Sequence, residues 1–107
     1  MPKGLEEKVE VTWLSINVWW EQQPTPLTCY YCFASPLSRE LPVKDPLRAT
    51  LDHKIPLSKR GSTNLKKNGV IACYPCNRDK GVLLPDEFRA VLRFRNRRDA
   101  LRKLRQD

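Results

Sequence analysis

The chain has 107 residues and a formal net charge of +8, with 20 lysines and arginines against 12 acidic residues. That length allows one domain and no second core, and so short a chain buries only ~60–65% of its unfolded surface, so its apolar residues need a supplement. No run of 18 apolar residues could span a bilayer, and the basic balance suits a polyanion rather than a membrane partner.

Residues 1–8 are polar and read as a flexible tail. Within residues 9–23, Val9, Trp13, Ile16 and Trp20 recur at helical spacing, which predicts an N-terminal helix. The alternation Val9, Val11, Trp13 leaves a strand as the other reading. Pro24 and Pro26 end this element and lead into Cys29 and Cys32. Residues 33–49 hold Pro36, Pro42 and Pro46 with little periodicity, so a loop is expected there. A short strand is predicted over residues 49–55, ended by Pro56. A basic loop with Gly61 at its turn follows over residues 58–67. Asn68-Gly69 is a turn signal before a second strand at residues 70–72. Residues 74–80 should form a short helix stopped by Gly81. The last helix, residues 85–107, has Pro85 in its first turn and Asp86 and Glu87 at its positive end. Phe88, Val91, Leu92, Leu101 and Leu104 supply its apolar stripe. Trp13, Trp19 and Trp20 are expected in the core.

All four cysteines lie in Cys-x-x-Cys pairs, Cys29/Cys32 and Cys73/Cys76. Two thiolates two residues apart can share one metal from a tight turn, and two such pairs complete the tetrahedral shell of a structural zinc. The opening residues lack the apolar core of a secretion signal, so a cytoplasmic location with reduced thiols is expected, which disfavours disulfides. A redox site needs one pair and gains nothing from the second. Metal binding in comparable small domains contributes ~10–16 kcal/mol, so zinc should decide whether the chain folds.

His53 is the only histidine, and it follows Asp52 directly. In an extended segment neighbouring side chains point to opposite faces, so the pair would serve one site only where the backbone curves. The ordered set Cys29-x-x-Cys32, Asp52-His53-x-x-Pro56, Gly61, Asn68 and Cys73-x-x-Cys76-Asn77-x-x-Lys80-Gly81 closely resembles the HNH endonucleases. The resemblance covers about half of the chain. It implies an α+β fold, a small zinc-stapled ββα-metal (His-Me finger) core over residues 27–81, flanked by the N-terminal and C-terminal helices. It also implies that His53 is the general base and that Asp52 and Asn77 ligate one catalytic divalent cation. Asn77 stands where many relatives carry a final histidine, which makes this an asparagine-ended variant. Asn68, with Asn64 as its rival, would brace the loop and orient His53. Lys80 would meet a backbone phosphate.

An oxygen ligand set suits Mg²⁺ or Mn²⁺, with other divalent ions in reach. Lysine and arginine stand where the family often has paired glycines, at Lys59-Arg60 before Gly61, and Gly69 replaces an aliphatic residue after the middle asparagine. Lys54, Lys59 and Arg60 on the finger, with Arg93 and Arg97 on the last helix, are candidates for phosphate contacts that position DNA without reading sequence. The expected partner is therefore DNA, in a phage or host cytoplasm, with a phage packaging or recombination protein beside it. An inactive zinc-stabilised nucleic-acid-binding module is the alternative.

Overall fold

The computed structural model describes residues 13–106. The expected tail at residues 1–8 and the first four residues of the expected N-terminal helix lie outside the described residues. So do the side chains of Trp13 and Leu104.

Helix α1 spans Trp13–Glu21. It buries Trp19 and packs Ile16 and Trp20 partly against the core. The Gln23 amide then donates to the Trp19 carbonyl at 2.7 Å, occupying an acceptor that the helix end leaves open. Trp19 and Trp20 meet edge to face, and the Arg39 guanidinium lies 4.3 Å over the Trp20 ring.

Beyond α1 the chain makes a tight knuckle around the first cysteine pair. Cys29 N–H donates to the Ala34 carbonyl, and Phe33 N–H donates back to the Cys29 carbonyl, each at 3.0 Å. Tyr30 N–H donates to the Ile71 carbonyl at 2.8 Å, fixing the knuckle to the sheet. The loop expected over residues 33–49 runs to the start of the first strand at Ala49, and Ser38 N–H on the Leu47 carbonyl and Ala49 N–H on the Ser38 carbonyl close it.

The sheet has two antiparallel strands, β1 at Ala49–His53 and β2 at Gly69–Cys73. Their register sets Ala49 opposite Cys73 and His53 opposite Gly69. The first strand stops at His53, two residues short of the expectation. From there the backbone turns into a 3₁₀ segment, Leu57–Lys59, and a one-turn helix α2, Leu65–Asn68. The expected basic loop is thus partly helical, and Asn68-Gly69 is not a hairpin turn: Asn68 ends α2 and Gly69 opens β2. A Cβ on Gly69 would lie 2.8 Å from the Leu65 carbonyl oxygen, so an aliphatic residue there would push α2 off the strand.

Helix α3, Tyr74–Lys80, starts directly from β2 with Pro75 in its first turn and ends at Gly81. Helix α4, Pro85–Gln106, is much longer. The Glu87 carboxylate accepts from Leu84 N–H at 2.8 Å at its start. Only the near part of the expected stripe is buried. Phe88 and Leu92 enter the core, whereas Val91 and Leu101 are exposed. The core joins these two residues to Trp19, Tyr31, Leu37, Leu65, Ile71 and the cysteines. Together the strands, α3 and the cysteine cluster form a ββα-metal domain.

Candidate active site and metal centre

The two Cys-x-x-Cys turns meet because the knuckle is pinned to β2 and the second pair spans the β2–α3 junction. All four sulfurs lie within 4.8 Å of one another, and Cys32 Sγ is 3.7 Å from Cys73 Sγ. Zinc–sulfur bonds of ~2.3 Å in a tetrahedron require sulfurs ~3.8 Å apart, so the donor set fits that ion. Crowding shows in the acidity of the thiols. Hydrogen bonds from Cys73 and Cys76 hold Cys29 well below the usual thiol range. The same bonds push Cys73 up to about 12 and raise Cys76. A dication entering the cluster would displace the thiol protons and turn all four sulfurs into ligands.

Arg95 of α4 donates to Cys76 Sγ at 3.2 Å and to the Asp79 carboxylate at 2.8 Å. Burial works against ionisation of Asp79, but hydrogen bonds from Arg78 and Arg95 win and hold it below the ordinary carboxylate range. Arg95 thus offsets the negative charge of a thiolate centre from outside it. In the sequence it was one arginine among many on a basic helix.

The second centre lies where α3 crosses β1. Thr50 and Asp52, two residues apart, share the strand face towards α3. Asn77 and Lys80, three apart on the helix, reach that face. The Asn77 amide donates to Thr50 Oγ1 at 2.9 Å and to the Leu51 carbonyl at 3.2 Å, and no bond to its amide oxygen is seen among the described residues. Asp52 is buried, with Oδ2 accepting from the Tyr31 hydroxyl and 3.3 Å from Lys80 Nζ.

Lys80 corrects the sequence reading. It is only 1% exposed, and its ammonium bonds the His53 carbonyl at 3.0 Å and faces Asp52, so it does not lie where a backbone phosphate could reach it. A lysine one turn beyond Asn77 shares that residue's helix face, and this face is covered by the strand. The Tyr31 hydroxyl, a partner the sequence reading missed, is raised in pKa by burial and by the Asp52 carboxylate. It therefore stays a donor.

His53 closes β1. Its Nε2 is buried and has no hydrogen-bond partner among the described residues. Asn68 fixes the chain just beyond. Its amide donates to the Ile55 and Ser62 carbonyls at 2.9 and 3.0 Å, and its oxygen accepts from Ile55 N–H at 2.9 Å. Asn64 instead caps α2, accepting from Lys66 N–H. Gly61 completes the loop: a Cβ there would fall 1.8 Å from the Ile55 carbonyl oxygen and 2.9 Å from the Asn68 amide.

Of the predicted phosphate contacts, Lys59 lies 3.5 Å from Glu87, an exposed pair of little energetic weight. Arg60, Arg93 and Arg97 are exposed, Lys54 is half-buried, and none of the four makes a side-chain hydrogen bond or ion pair among the described residues.

A two-stranded finger, a helix crossing it and four cysteines at its base define a ββα-metal domain of the zinc-containing kind. The family model for HNH endonucleases matches residues 29–82, half of the chain, and the chain belongs to that family. No curated protein matches it. Among the described residues no helix is long and apolar enough to cross a membrane.

Proposed function

We propose that this chain is a metal-dependent DNA endonuclease that nicks or cuts with little sequence preference, acting in the cytoplasm alongside a phage packaging or recombination protein. Membership of the HNH family supports a nuclease or nucleic-acid-binding role. The observation that carries the finer reading is the buried, unpartnered Nε2 of His53. Buried polar atoms are nearly always satisfied, and one left without a partner at the end of this strand suits a base that takes a proton from an attacking water.

The Asp52 carboxylate and the Asn77 amide oxygen offer a hard oxygen pair suited to Mg²⁺ or Mn²⁺, with water and phosphate completing the shell. Such a bound ion stabilises the charge that grows on phosphorus and on the leaving oxygen. Asn77 is turned by its own bonds to β1, which leave the amide oxygen for that ion. Asn68 holds the loop that follows the base. Lys54, Arg60, Arg93 and Arg97, which make no side-chain bond among the described residues, are free to serve as phosphate contacts, so DNA is the expected substrate.

The second reading, an inactive binding module, has one observation in its favour: the Lys80 ammonium already lies on the Asp52 carboxylate. The two readings separate on supercoiled plasmid incubated with Mg²⁺, Mn²⁺ or no added cation, beside a gel shift. Cation-dependent nicking should fall by at least ~10²-fold in His53→Ala while DNA binding persists. Binding without any cleavage by the wild-type chain would leave only the module.

A further inference from the structure

A cleft of about 560 Å³ lies between the cysteine knuckle and the first turns of α4. Its outer wall carries Tyr30 and Phe33, and α4 contributes Arg89, Leu92, Arg93 and Asn96. No carboxylate lines it. Phe33 is 76% exposed, and its backbone is left-handed at φ 64°. Only glycine takes that conformation without strain, so the knuckle holds an exposed aromatic where a smaller residue would fit the backbone better. Strained backbone of this kind clusters at functional sites. Tyr30 is also exposed, at 41%. Arg93 has no hydrogen-bond or ion-pair partner among the described residues, whereas Arg89 pairs with the exposed Asp86 at 2.6 Å.

We propose that this cleft takes one unpaired nucleotide of the DNA, its base against Phe33 and Tyr30 and its phosphate on Arg93. The proposal rests on DNA being the substrate and names its class: a duplex carrying a flap, fork or extruded base. The chemistry matches on each count. Aromatic rings offer a stacking surface that any base can use, a neighbouring arginine takes the backbone charge, and an acid-free wall does not repel it. The volume lies in the range of small-ligand sites, ample for one nucleotide. Tyr31, which also lines the cleft, hydrogen-bonds Asp52, so the cleft and the proposed catalytic centre share one side chain.

The test is fluorescence anisotropy of the full chain, without added divalent cation, on a forked duplex and on a plain duplex of equal length. Phe33→Gly suits the local backbone and removes the ring. It should weaken binding of the fork by roughly 5- to 100-fold, the range for losing one stacked base, and change plain duplex binding by less than about twofold. Zinc content, measured alongside, should be unchanged. A 5-bromouracil placed at the unpaired position should photocrosslink to the peptide containing Tyr30 and Phe33. Equal losses on both DNAs, or fork affinity equal to wild type with crosslinks elsewhere, overturns the proposal. The latter result would leave the cleft to a protein partner. Because no cleavage is read, an inactive nuclease would not mimic either failure.

Discussion

The Tyr31 hydroxyl donates to Oδ2 of Asp52, and this one bond joins the turn between Cys29 and Cys32 to the strand that ends at His53. Tyr31 also packs edge to face on Phe88 of α4, with centroids 5.2 Å apart. The cysteine knuckle therefore orients the carboxylate proposed to hold the catalytic cation. Hydrogen bonds of this second layer commonly change metal affinity or activity by ~10–100-fold. Tyr31→Phe keeps the ring and removes only the bond. It should leave zinc content intact and raise the Mn²⁺ concentration needed for half-maximal cleavage by ~10-fold or more, with weaker Mn²⁺ binding by calorimetry in the absence of DNA. An unchanged Mn²⁺ affinity would confine Tyr31 to packing.

The Lys80 ammonium and the Asp52 carboxylate are both buried, at side-chain exposures of 0% and 7%. Taking two charges out of water is costly, and removing one partner strands the other, at ~3–5 kcal/mol. Lys80→Met should therefore lower the melting temperature by ~10 °C or more in a domain of this size. Asp52→Asn in the same chain removes the stranded charge and should restore most of that loss. The double-mutant cycle reads the coupling directly. Additive losses would show that Lys80 acts through its bond to the His53 carbonyl rather than through Asp52.

What the sequence made legible was local. The Cys-x-x-Cys spacing carries its own chemistry, and both strands and α3 emerge from runs bounded by Pro56, Asn68-Gly69 and Gly81. Membership of the HNH family follows from the same ordered residues. What it hid were contacts across the fold. Tyr31 meets Asp52 over 21 positions, Lys80 meets it over 28, and Arg95 reaches Cys76 over 19. Nothing in a basic helix marks which arginine turns inward. Lys80 reads as a surface cation until β1 is laid over its face of α3. The one-turn helix α2 was missed because four residues are too few to display a period.

The cysteine cluster should hold zinc and govern folding. Cys73→Ser removes one thiolate from a site that contributes ~10 kcal/mol or more in comparable domains, and should abolish both bound zinc and the cooperative melt. Arg95→Met is the gentler probe. It deletes the hydrogen bond to Cys76 Sγ and should weaken zinc retention against a chelator by ~10-fold without preventing loading. Arg95→Met should also release the restraint on Asp79. That carboxyl is depressed in the folded chain, so its contribution to stability is present above the ordinary carboxylate range and is lost as pH falls through its lower folded value. Acid also releases zinc by protonating the thiolates, so the loss of stability on acidification should set in at higher pH in the variant, which lacks the Arg95 charge beside Cys76 and Asp79.

The outer part of α4 is where DNA affinity can be separated from folding. Removing the whole helix would strip Phe88 and Leu92 from the core and Arg95 from the cysteine cluster, so truncation after Gly81 cannot report on charge alone. Arg93 and Arg97 are exposed and have no ion-pair partner among the described residues. Arg93→Glu with Arg97→Glu spares every buried contact of the helix. Each lost phosphate contact lowers the slope of log K against log salt by ~0.9 on duplex DNA, so the double variant should flatten it by about two and slow cleavage at moderate salt. Melting temperature and zinc content should stay at wild-type values. A variant that binds and cuts with an unchanged salt slope would make these arginines a solvated surface and move the DNA path to Lys54, Arg60 and the finger.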